Sequence, residues 1–108
     1  MWATKMQRLE RHEPLPNEMQ GRWRDIEDAS SELIIHGGEI ICFGESVTYE
    51  YKLVERIDGA LTVSLKIMDD SNEDAFQRAN ITELVITPEG DFCAYNVRFA
   101  VQFERAET

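Results

Sequence analysis

The sequence predicts an all-β fold, an antiparallel meander of seven to eight strands closing into a small barrel behind a short N-terminal helix. Three observations carry this expectation. From Gly21 onward, apolar and polar residues alternate with the two-residue period of half-buried strands. The runs are joined by tight-turn signals, above all His36-Gly37-Gly38-Glu39 and Asp58-Gly59, which make sequential strands antiparallel neighbours. No long helical pattern follows to cover one side of the sheet, so its apolar face must be buried by curling the sheet on itself.

The 108 residues suit one domain, since two halves of that length would each bury too little core. Residues 1–13 read as a helix with Trp2, Met6 and Leu9 on one face, ended by Pro14 and Pro16. Residues 14–104 make the barrel. Its strands are expected at Gly21–Asp28, Glu32–His36, Glu39–Phe43, Ser46–Ile57, Ala60–Met68, Ile81–Thr87 and Asp91–Glu104. Simple alternation places Val47, Tyr49, Tyr51 and Leu53 on the inner face of one strand. It places Leu61, Val63, Leu65 and Ile67 on that of the next, and Cys93, Tyr95, Val97, Phe99, Val101 and Phe103 on that of the last. Residues 69–80 are acidic and polar, a loop with one or two helical turns. The hairpin at 33–43 is apolar on both faces, so its outer face needs a cover, either the N-terminal helix or a second subunit; in the second case Ile34, Ile41 and Phe43 are the candidate homodimer contacts.

The formal net charge is −10, from 21 acidic and 11 basic residues. A field of that sign repels phosphate and disfavours nucleic acid. It serves solubility, or it meets a basic partner. No run approaches a membrane span, and the charged opening segment lacks an apolar core, so a cytoplasmic chain with free Cys42 and Cys93 is expected.

At Gly21-Arg22-Trp23 the chain resembles the lipocalin and wider calycin group: a proline-bounded lead-in, then Gly-x-Trp opening the first strand of a meander. The resemblance implies that Trp23 closes one end of the barrel beneath a cation from the last strand, Arg98 or Arg105. It rests on a three-residue motif. The family's Thr-Asp-Tyr motif and C-terminal helix are missing, and Thr48-Tyr49-Glu50-Tyr51 is no substitute.

Catalytic and metal chemistry find little footing, and no cofactor is expected. Asp70-Ser71-Asn72-Glu73-Asp74 begins like a calcium loop, but Ala75 and Ile81 stand where Gly and the bidentate Glu belong. His12 and His36 lie apart, and nothing in the sequence brings Cys42 to His36. If Trp23 faces inward, period two carries Asp25 and Glu27 with it, unless the strand ends or bulges there. The aromatic set Trp23, Tyr49, Tyr51, Tyr95 and Phe99 either lines a cavity for a small apolar ligand or fills a narrow barrel. Two functions follow: a non-enzymatic binding barrel, or an acidic interaction module of the inhibitor, immunity or chaperone kind with a filled core.

Overall fold

The computed structural model describes residues 6–42, 44–68, 71, 75, 77, 80–98 and 100–106. It shows one antiparallel sheet of ten strands curled into a half-barrel: β1 (Met6–Glu10), β2 (Gly21–Asp25), β3 (Glu32–His36), β4 (Glu39–Cys42), β5 (Glu45–Val47), β6 (Tyr51–Ile57), β7 (Ala60–Lys66), β8 (Glu83–Ile86), β9 (Phe92–Tyr95) and β10 (Ala100–Arg105). Their spatial order is β1-β6-β7-β8-β9-β10-β2-β3-β4-β5. The last strand returns to β2, with Arg105 opposite Trp23 and Phe103 opposite Asp25. The sheet does not close on itself, because β1 rather than β5 lies beside β6.

Where turn chemistry is local, the expected turns stand. Asp58 and Gly59 both take positive φ, 51° and 86°, and Ile57 faces Ala60 across the hairpin. Gly37 and Gly38 turn β3 into β4, with His36 opposite Glu39. Gly38 is needed for space as well: a Cβ there would sit 2.7 Å from the Glu13 carbonyl oxygen.

Three expectations are corrected. Residues 6–10 are a strand and not part of a helix; Met6 to Glu10 pair with Glu55 to Tyr51, and only Leu9 of the five is buried. An apolar spacing of three supports a helix only if that face finds a partner; here the free edge of β6 offers backbone hydrogen bonds instead. The long strand at 46–57 is two strands. Val47 and Tyr49 face inward, but the break at 48–50 puts Lys52 and Val54 on the inner face and turns Tyr51 and Leu53 outward. The final strand is also two. Phe92, Ala94 and Asn96 are buried, which leaves Tyr95 on the outer face. The Asn96 amide makes this turn: it donates to the carbonyls of Gln77 (2.7 Å) and Asn80, and its oxygen accepts the Arg98 N–H at 2.9 Å.

The hollow of the half-barrel is filled. Met19, Leu33, Ile35, Ile40, Val63, Leu84 and Phe92 are each at most 1% exposed, within a continuous apolar cluster reaching from Leu9 to Phe103. Lys52 joins them: its stem lies in the core and its ammonium donates to the carbonyls of Arg11 (2.9 Å) and Gly38 (3.0 Å). Strand β2 ends at Asp25, whose carboxylate accepts the Glu27 N–H at 2.8 Å; Glu27 is exposed, so acids do not enter the core there.

Candidate functional site

One end of the half-barrel is sealed by the lead-in to β2. A single 3-10 turn, Asn17–Met19, drops Met19 into the core, and its carbonyl accepts the Trp23 indole N–H at 2.9 Å. The Trp23 ring packs edge-on against Phe92, centroids 4.3 Å apart. Its other neighbour is Arg105, whose guanidinium carbon lies 4.1 Å from the ring centroid. Arg105 also donates to the carbonyls of Gln20 and Glu18, serving the unsatisfied end of the 3-10 turn. Gly21 permits this approach. It takes φ +118°, and a Cβ there would sit 2.6 Å from Arg105 Nη1. Arg98, the other candidate cation, is exposed.

A second tie comes from Tyr49, whose hydroxyl donates to the Ile81 carbonyl at 2.8 Å, linking the entry to β6 with the entry to β8. Burial pushes the Tyr49 phenol well above its ordinary value, with the Cys42 sulfur adding to the effect. Burial alone pushes the Cys42 thiol up to about 11. Both cysteines are free.

Of the five aromatic residues expected to share a lumen, Trp23 and Tyr49 are buried in the core. Tyr51 lies outside beneath the Arg8 guanidinium, 4.1 Å from its ring centroid. Tyr95 lies outside near Cys93, which pushes its phenol up. Phe99 falls outside the described residues, as do Phe43 and most of the acidic loop, including Asp70, Asn72 and Asp74. Ile34 and Ile41 are directly paired and half-buried on the outer face of the β3–β4 hairpin. Among the described residues no group of three His, Cys, Asp or Glu is placed to hold a metal, and no helix is long and apolar enough to cross a membrane.

Two of the surface clefts bear on function. An open one of about 630 Å³ lies beside the sealed end, over β10. Its apolar lining comes from Trp23, Ile26, Ile86 and Phe103, its acids are Glu18, Asp91 and Glu104, and its cation is Arg105. Sequence reading missed it because it is assembled from four separate segments. A smaller cleft of about 270 Å³ lies at the seam between residues 11–12 and β5.

Comparison with known proteins returns no matching family model, no matching curated protein and no matching solved structure.

Proposed function

We propose that this chain is a non-enzymatic, lipocalin-like half-barrel that works through its outer surface as an acidic module for a basic protein partner. The packed hollow carries the reading. Residues that would line a ligand cavity, Leu33, Ile35, Val63 and Leu84, fill it instead, and two of the expected aromatic walls face away. The Gly21–Trp23–Arg105 arrangement supports the lipocalin likeness of the sealed end.

The charge supports the partner. Arg8, Arg22, Arg24 and Arg56 are already paired with Glu10, Glu32, Glu104 and Glu18, so the remaining acids dominate the field. The 630 Å³ cleft beside Trp23 combines an apolar floor with Asp91, the acid of its lining that stands outside the four ion pairs, while Glu18 and Glu104 stay with Arg56 and Arg24 and Arg105 stays over Trp23. That lining suits the long stem and cationic head of a partner's Lys or Arg.

Titration with a Lys/Arg-rich peptide at low and high salt tests this. The expected result is binding that weakens as salt rises and weakens further in Asp91→Asn. Absence of binding at low salt, or binding that ignores both salt and Asp91, contradicts it.

A further inference from the structure

The seam cleft has the opposite character. Arg11, His12, Gly38, Glu39, Ser46, Val47, Thr48 and Tyr49 line its 270 Å³. Lys52 is not itself part of the lining, but both carbonyls that hold its ammonium belong to lining residues, Arg11 and Gly38. An ammonium has three protons to donate. Among the described residues Lys52 finds two acceptors, and no carboxylate stands within ion-pair distance of it. Glu13 acts on it only at longer range, and its carboxylate already accepts the Glu10 N–H at 2.8 Å. A buried cation without a close counter-ion is costly, and a chain with 21 acids has left it without one.

The exposed hydrogen-bonding side chains of the cleft are equally uncommitted. Arg11 and His12 have no side-chain hydrogen bond or ion pair among the described residues, whereas Arg8, Arg22, Arg24, Arg56 and Arg105 are all engaged. Ser46 and Thr48 place exposed hydroxyl side chains on the facing wall, with Val47 and Tyr49 behind them. We propose that this seam cleft binds a small organic monocarboxylate, its carboxylate at Arg11 and His12 near Lys52 and its apolar body on Val47 and Tyr49. Glu39 at the rim disfavours a phosphate dianion, which gathers more repulsion there than a carboxylate does. The volume sits at the small end of ligand pockets, so the ligand is of single-ring size. This site is separate in place and in charge from the acidic cleft, and stands or falls without it.

Amide NMR titration with benzoate, benzamide and phenyl phosphate tests the assignment. Benzoate is expected to give saturable shifts at residues 11, 12 and 46–49, and the neutral benzamide none. Arg11→Gln weakens benzoate about tenfold, the loss of one charge-assisted hydrogen bond. Arg98→Gln, which removes the same charge from another exposed position, leaves it unchanged. Absence of saturable shifts, an equal response to benzamide, or full binding by Arg11→Gln overturns the site. Tighter binding of phenyl phosphate than of benzoate overturns its carboxylate preference.

Discussion

The Arg105 guanidinium lies over the Trp23 ring at 4.1 Å, directly opposite it across the β10–β2 ladder. A single side chain of the last strand thus covers the indole and binds the carbonyls of Gln20 and Glu18. Arg105→Ala is expected to cost about 1–2 kcal/mol, the sum of a partly exposed cation–π contact and two hydrogen bonds. Arg105→Lys recovers part of this, because an ammonium cannot stack and fork together. Denaturant unfolding of the three proteins checks the order.

Gly21→Ala is expected to destabilise by about 1–3 kcal/mol, since alanine is strained at φ +118° and its Cβ meets Arg105 Nη1 at 2.6 Å. The steric part depends on Arg105 and the backbone part does not. The double variant Gly21→Ala/Arg105→Ala is therefore less damaged than the two single losses added together. Strict additivity in a double-mutant cycle contradicts the contact.

Lys52 gives a pH signature. Its pKa is lowered from 10.5, first by burial and then by Arg11, against an opposing pull from Glu13. The folded state releases this proton before the unfolded state does, so the unfolded chain binds more protons between the folded-state pKa and 10.5. Stability relative to Lys52→Met therefore rises with pH through that window and is flat below it. A difference that falls in the alkaline range contradicts the buried ammonium.

Cys42 is expected to resist alkylation. With its thiol pushed up to about 11 by burial, little thiolate exists at neutral pH. Mass spectrometry after iodoacetamide treatment should find Cys42 slow in the native protein and fast in denaturant. Equal rates in both states contradict its placement beside Tyr49.

The parts of this fold that sequence reading reaches are those set by neighbouring residues. Asp58-Gly59 and Gly37 specify their turns because tolerance of positive φ is a property of the residues themselves. Leu61, Val63 and Leu65 alternate through an unbroken strand, and all three are buried. The misplaced tyrosines have a different cause. A break at 48–50 without Gly or Pro shifts the phase of the next strand, and Tyr51 turns outward. The break after Tyr95 carries one local signal, Asn96, but its amide works through Gln77 and Asn80, which only the folded chain brings near. Residues 6–10 become a strand through pairing with β6, some forty residues away in sequence. Spacing within the segment holds no trace of that partner. The seam cleft is hidden for the same reason, because Arg11 and Thr48 meet only once the sheet has curled.

The packed hollow is the claim on which the proposed role depends, and native-state titration with an apolar fluorescent probe measures it most directly. The account predicts no saturable binding to the wild-type protein, and a new site in Leu84→Ala, where removing a fully buried side chain leaves a void. Stoichiometric binding of the probe by the wild type, abolished rather than created by core substitutions, would contradict it.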